Sequence, residues 1–334
     1  MLTSDEQVRL LAWYDQHQRD LPWRATNDPW AILLSEILLQ QTQVSRGLVY
    51  WERMMQAFPS IESMAAAKVD VVLKAWEGAG YYSRARRLHA LSQRVVLSSN
   101  DGGYDGVLPR SASELLTLPG VGPYTAAAVA SIAHGEPVAC VDGNIRRVMA
   151  RRTATQRPTP SEVQNWAEAS LHHGRPGDWN QALMELGATV CTPKRVQCPT
   201  CPLSVGCSGA DEPERYPQPT QRKVKHQTLH ALVEVAVNGQ PLLSQRPTTG
   251  MFGGLWGPQY SEQEGPWPEH TSDVIATVHH VLSHRRLAVH VRAVVRPDAM
   301  EGTMRESVAV SALDEKVLAC AATWFAQTSS SHRL

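Results

Sequence analysis

Cys191, Cys198, Cys201 and Cys207 lie within seventeen residues, spaced Cys-x6-Cys-x2-Cys-x5-Cys. That loop constrains the fold more than any other stretch, because four thiolates so close together can be held by a single metal centre. A tetrahedral zinc site also takes four thiolates, usually from two short Cys-x2-4-Cys knuckles, and this loop has one. A [4Fe-4S] cluster offers one corner iron to each thiolate and accommodates wider gaps. Spacing alone leaves both open, with unliganded thiols the remaining reading. The start Met1-Leu2-Thr3-Ser4-Asp5 has no basic and apolar leader, so a cytoplasmic protein is expected and disulfides are not. Cys140 and Cys320 sit among apolar residues and read as small core residues.

A chain of 334 residues suffices for two cores, and no run approaches the ~18 apolar residues of a membrane span. The formal net charge is zero, which argues against a wholly cationic nucleic-acid binder and leaves local patches as the evidence. Arg84, Arg86, Arg87 and Arg94 form one, and Arg146, Arg147, Arg151, Arg152 and Arg157 another. Each reads either as a solvated helix face or as a phosphate contact.

Apolar spacing is helical up to about residue 207 and then changes. The proline-rich stretch from Asp211 to Pro219 has no period and predicts a linker, extended here over 211–227. Beyond it, Leu229, Ala231, Val233, Val235 and Val237 alternate, Asn238-Gly239 predicts a tight turn, and a second strand follows over Gln240–Ser244. Leu287 to Val295 alternates again, and Ser311 to Phe325 has helical spacing. An all-α first domain over 1–210, its cysteine loop at 191–207, thus precedes an α+β domain over 228–328.

Ser111-Ala112-Ser113-Glu114 predicts a capping box, and Pro123 opens a second helix after Leu118-Pro119-Gly120-Val121-Gly122. In this helix, glycine hairpin, helix arrangement, Gly120 and Gly122 let backbone amides approach an anion while the second helix directs its free N–H groups at it. A duplex phosphate fits such a site. Val141-Asp142-Gly143-Asn144 follows some twenty residues on. Together these motifs resemble the helix-hairpin-helix superfamily of DNA glycosylases, and the cysteine spacing is similar to its iron-sulfur branch, which implies a [4Fe-4S] cluster on Cys191, Cys198, Cys201 and Cys207. The likeness covers nearly the whole chain.

Strand-cutting members such as endonuclease III form a Schiff base with a lysine two residues past the second hairpin glycine. Tyr124 stands there, and no lysine occurs between Lys74 and Lys194, so a monofunctional enzyme is expected. Upstream, Asn27-Asp28-Pro29-Trp30 caps a helix read through Gln43, on which Glu36, Gln40 and Gln43 form a polar stripe among leucines and isoleucines. Apolar surroundings raise a carboxyl pKa, which suits Glu36 to general-acid work.

The string from Ser35 to Val44 resembles the adenine DNA glycosylase (MutY) family, as do Leu21-Pro22-Trp23-Arg24, Trp76-Glu77-Gly78-Ala79-Gly80-Tyr81-Tyr82 and Asn180 to Ala188. The resemblance implies excision of adenine mispaired with 8-oxoguanine or guanine in double-stranded DNA, by a monomer associated with the nucleoid. It implies Glu36 as acid, Asp142 as the ionised stabiliser of an oxocarbenium-like sugar, Tyr124 against the site and Asn144 orienting the aspartate loop. Gln41 and Tyr81 match positions that wedge into the duplex, Thr42 lies nearby, and Leu21, Trp23, Arg24 and Glu185 border the base pocket; Trp23 reads equally as a core aromatic. On the cysteine loop, Lys194 and Arg195 would reach phosphate.

Leu242 to Pro247 and Gly253-Gly254-Leu255-Trp256 resemble that family's Nudix-like domain. No glutamate-dense helix for metal-dependent hydrolysis is present in the sequence, so recognition is expected, with Ser283 and His284 reading 8-oxoguanine. Leu282 replaces the family's Phe beside them, and Ala79 a common Leu. Rival readings are a thymine or thymine-glycol glycosylase, a non-catalytic iron-sulfur DNA sensor and a Nudix hydrolase.

Overall fold

The computed structural model describes residues 1–219 and 224–331. It divides into two compact units, one of residues 1–66 and 87–220 and the other of residues 67–86 and 221–334. The short segment 67–86 therefore belongs to the second unit. Its motifs had suggested nothing of the kind.

Helices α1 (Ser4–His17), α2 (Pro29–Leu39), α3 (Val44–Ala57) and α4 (Ile61–Ala66) precede α5 (Val69–Ala75) and α6 (Ser83–Val96); α7 (Ala112–Leu115), α8 (Pro123–His134), α9 (Gly143–Arg152), α10 (Pro160–Ala169) and α11 (Pro176–Thr189) follow. The first unit is all-α, as expected. Local chemistry sets its boundaries: Thr3 caps α1 reciprocally with Glu6, Asp28 caps α2 with Pro29 at its first position, and Thr159 caps α10 with Glu162 in return. One core joins α1, α8, α9, α10 and α11 around Leu10, Tyr14, Ile145, Trp179 and Leu183.

Every residue of α2 from Trp30 to Leu38 is buried, so it is a central helix, apolar all round. Contrary to the sequence expectation it stops at Leu39. Gln41 takes a left-handed backbone with φ 58°, which no helix interior accepts, and Gln43, in extended backbone, stands at the N-cap position of α3. The stripe of Glu36, Gln40 and Gln43 is therefore not one helix face.

In the second unit β1 (Lys225–Ala236), β2 (Ser244–Gln245), β3 (Trp256–Gly257), β4 (Gln259–Ser261), β5 (Ala276–Val281) and β6 (Arg285–Arg296) are followed by α12 (Ala312–Ser331). The main sheet has the order β4-β1-β6-β5, with β1 and β6 parallel over their whole length. Leu229, Ala231, Val233, Leu287, Val289 and Val291 share a core with Leu313, Val317 and Ala321 of α12. The α+β class holds, but the hairpin expected after Asn238-Gly239 is reduced to a single bridge between Val235 and Pro241. Pro241 has no N–H to extend a ladder, and Ser244–Gln245 pairs with Trp256–Gly257 instead. β1 starts at Lys225, inside the stretch read as linker. Among the described residues no helix is long and apolar enough to cross a membrane.

Asp314, with no exposed surface, anchors this unit. It accepts from both Arg246 nitrogens at 3.0 and 2.7 Å, from Tyr260 at 2.9 Å and from the Ser311 hydroxyl at 2.6 Å. A buried carboxylate is tolerated only when bonded so completely.

Candidate active site

A cleft of about 730 Å³ opens in the first unit where α2, α8, α9 and α11 converge. It is lined by Leu21, Trp23, Arg24, Glu36, Gln41, Thr42, Gly120, Gly122, Tyr124, Asp142, Asn144 and Glu185. Every residue expected near the reacting base from this unit thus faces one space. α2 packs against α8, and α9 against α11, which brings Glu36 from mid-helix, Tyr124 from a first turn and Asp142 from an N-cap together.

Glu36 is 7 % exposed, and burial, with a smaller push from Asp142, raises its carboxyl to about 7. Tyr124 donates to Oε2 at 2.7 Å, with the Met184 sulfur 3.2 Å from the same hydroxyl. Burial first, then the nearby carboxylates, raises the Tyr124 phenol well above its ordinary value, so it remains a donor. Tyr124 thus occupies Oε2 of Glu36. Burial also pushes Asp142 upward, and its bonds oppose that push: Ile145 N–H donates to Oδ1 at 2.8 Å and the Asn144 amide to Oδ2 at 2.7 Å. Both favour the ionised form.

Two glycines make this approach feasible. A Cβ on Gly187 would stand 2.5 Å from Asn144 Cβ, so α11 reaches α9 only without a side chain there. Gly120, at φ 83°, would meet Arg87 Cβ at 2.7 Å.

Glu185 has no exposed surface and accepts from Arg19 Nε and Nη2 and from Arg24 Nη2, each at 2.7 Å. Burial alone would push its carboxyl up, but these bonds outweigh burial and hold it below the usual range. Arg19 lines the cleft too; sequence reasoning missed it, although it stands two residues before the Leu21-Pro22-Trp23-Arg24 motif. Trp23 proves to be both core and pocket, 6 % exposed and edge-on to Trp51 at 5.8 Å.

Several arginines of both clusters act as internal braces, whereas Arg87 and Arg94 are exposed. Arg147 donates to the carbonyls of Cys191 and Gly187, Arg151 to those of Pro213, Tyr216 and Thr192, and Arg152 to Glu6 and Val205. In the second unit Arg86 reaches the carbonyls of Thr248 and Gly253.

The four cysteines line one small cavity of about 30 Å³ with Arg151, Val190, Val196 and Pro213, and no carboxylate or imidazole joins them. Arg151 Nη1 lies 3.3 Å from Cys191 Sγ. Burial and the neighbouring thiols raise Cys201 to about 11. Among the described residues no three His, Cys, Asp or Glu side chains are grouped to hold a single ion.

In the second unit Tyr81 is 41 % exposed with a left-handed backbone at φ 47°. Its hydroxyl bonds that of Ser283, at the turn between β5 and β6, where His284 is also exposed.

Residues 34–172 match the family model described as HhH-GPD superfamily base excision DNA repair protein. The first unit is thus built on a base-excision glycosylase domain. The chain is 34% identical over 371 residues to the adenine DNA glycosylase of Mus musculus, covering 88% of this chain and 71% of that one. It is 37% identical over 308 residues to the adenine DNA glycosylase of Homo sapiens, covering 74% of this chain and 56% of the human one. A solved thermostable thymine-DNA glycosylase matches with a TM-score of 0.56 at 31% identity, covering 62% of this chain and 95% of that one. The chain belongs to the adenine DNA glycosylase family.

Proposed function

We propose that this protein is a monofunctional glycosylase that hydrolyses the N-glycosidic bond of adenine mispaired with 8-oxoguanine or guanine in double-stranded DNA. The observation that carries the reading is the pair Glu36 and Asp142 facing one cleft, with Glu36 raised to about 7 and tied to Tyr124. Adenine is a poor anionic leaving group, so Glu36 Oε1 protonates N7 as the bond from C1′ to N9 breaks and its electron pair passes to the base. Asp142, oriented by Asn144 and Ile145 N–H, stabilises the positive sugar. Water then adds to C1′ and gives a proton to Glu36. Tyr124 stands at the position of the lyase lysine, and no lysine is among the described residues that line the cleft.

Base flipping costs a few kcal/mol, and two exposed residues held in left-handed backbone, Gln41 and Tyr81, are the wedges that offset it. Strained backbone of this kind concentrates at functional sites. Arg24, Leu21, Trp23, Thr42 and Glu185 form the base pocket, Gly120 and Gly122 bind phosphate through backbone amides, and Ser283 and His284 on the Nudix-like second unit read the opposing base. The all-thiolate cavity suits a soft metal, and the likeness of the Cys-x6-Cys-x2-Cys-x5-Cys spacing to the iron-sulfur branch of the superfamily favours a [4Fe-4S] cluster. Such a cluster would fix the loop carrying Lys194 and Arg195.

The likeness to a thymine-DNA glycosylase favours a second reading, thymine removal on the same scaffold. Single-turnover assays on duplexes carrying A:8-oxoG, G:T or thymine glycol, followed by heat in alkali, separate the two. Adenine release with strand breakage only after alkali is expected; no release from A:8-oxoG sinks the proposal.

A further inference from the structure

Glu77 sits at the foot of the loop that presents Tyr81, and its carboxylate is fully engaged. Oε1 accepts from Arg305 Nη2 at 2.8 Å and from Val310 N–H at 2.9 Å, and Oε2 from Lys74 at 3.0 Å. Lys74 and Arg305 also donate to the Val308 carbonyl, at 3.0 and 2.8 Å, and Tyr82 donates to the Val310 carbonyl at 3.1 Å. Two segments more than two hundred residues apart in sequence are thereby joined, and the second is anchored: Val310, 1 % exposed, belongs to the core beneath the sheet.

The loop on the near side is held by bonds from Trp76 and Arg84 to its carbonyls. Gly78 and Gly80 have φ of 88° and 75°, and Tyr81 of 47°. Trp76 Nε1 donates to the Gly80 carbonyl at 3.0 Å, and Arg84 to the carbonyls of Ala79 and Gly80 at 3.2 Å. The Arg84 guanidinium also lies 5.5 Å from the Tyr81 ring centre and 5.4 Å from that of Trp76. Whatever fixes Trp76 and Glu77 therefore fixes Tyr81, whose hydroxyl ends on Ser283.

We propose that Glu77 is a positioning residue for lesion selectivity. By joining the Tyr81 loop to the 305–310 segment, it presents Tyr81 and Ser283 to the base opposite the target as one rigid reading element. This rests on the proposed DNA-contacting roles of those two residues. Without the carboxylate, the loop still reaches DNA but meets the opposing base with less definite geometry, so the distinction between 8-oxoguanine and guanine suffers before excision does.

The test compares single-turnover adenine release from A:8-oxoG and A:G duplexes for the unmodified protein, Glu77→Ala, Glu77→Gln and Arg305→Ala. Removing charge-assisted bonds lowers the preference for A:8-oxoG by about tenfold in Glu77→Ala, with the A:G rate held within about twofold. Glu77→Gln keeps an acceptor for Val310 N–H and Arg305 and restores most of the preference. Hydrogen exchange over residues 78–81 is faster in Glu77→Ala. Should that variant fail to fold, Arg305→Ala, which leaves Glu77 bonded to Lys74 and Val310, carries the same expectation at about threefold. Equal loss on both duplexes, or an unchanged preference in folded variants, overturns the inference. If the unmodified protein releases adenine from neither duplex, it is the proposed function that fails.

Discussion

Glu36→Gln is expected to make the protein more stable at alkaline pH while nearly abolishing excision. The carboxyl rises from 4.5 to about 7 on folding, chiefly through burial. Between those two pH values the unfolded chain ionises Glu36 and the folded chain does not, so the contribution of its neutral form is complete below pH 4.5, declines as pH rises and is lost above about 7. At about 1.4 kcal/mol per pH unit, the charge destabilises the native state by about 3 kcal/mol at pH 8. Glutamine has no charge to lose, and its carbonyl still accepts from Tyr124. Thermal melts of parent and variant at pH 5.5 and 8.5 measure the difference. The advantage of the variant grows by about 2 kcal/mol over that interval, about 4–8 °C in Tm for a protein domain of this size. The same substitution removes the transferable proton and lowers excision by about 10²–10⁴-fold. Parallel pH dependences for parent and variant refute the reasoning, because they mean that Glu36 ionises alike in both states.

Three further outcomes follow from the geometry. Asp142→Asn lowers single-turnover excision by about 10²–10³-fold while mismatch binding, followed by fluorescence anisotropy, survives. Gly187→Ala drives a methyl against Asn144 and opens α11 from α9, lowering stability by about 1–3 kcal/mol in urea unfolding and excision along with it. Asp314→Ala strands the Arg246 cation in the second unit and lowers its stability by about 3–5 kcal/mol, read as an earlier unfolding step by differential scanning calorimetry. A fourth concerns the cysteine loop: Cys198→Ser loses folded protein or DNA affinity before chemistry, seen when the rate at saturating enzyme stays near that of the parent.

Short-range physics made much of this molecule legible. The Asp28-Pro29 cap, the apolar run behind it and the glycine hairpin before Pro123 each specify their geometry within a few residues, and the structure has helix starts at all of these points. Glu36 could be picked out because a lone carboxylate among leucines implies a perturbed acid. What escaped was non-local. Gln41 breaks its helix because of a single left-handed residue that propensity does not mark. Arg147, Arg151 and Arg152 look like a phosphate-binding patch in one dimension, but each also bonds a carbonyl forty or more residues away. Arg19 carries no motif of its own, and only the buried Glu185 opposite reveals its place.

Assigning residues 67–86 to the second unit has a consequence for biosynthesis. These residues leave the ribosome while their partners, which start beyond residue 220, are still untranslated; at typical elongation rates the delay is on the order of ten seconds. Late in that interval, once residue 188 has been added, the cleft lining of the first unit is complete, yet the Tyr81 loop still lacks the later residues of its own unit. Given the roles proposed for these residues, a chain cut short before the second unit would hold a base without judging its partner, and discrimination would be the last property the polypeptide acquires.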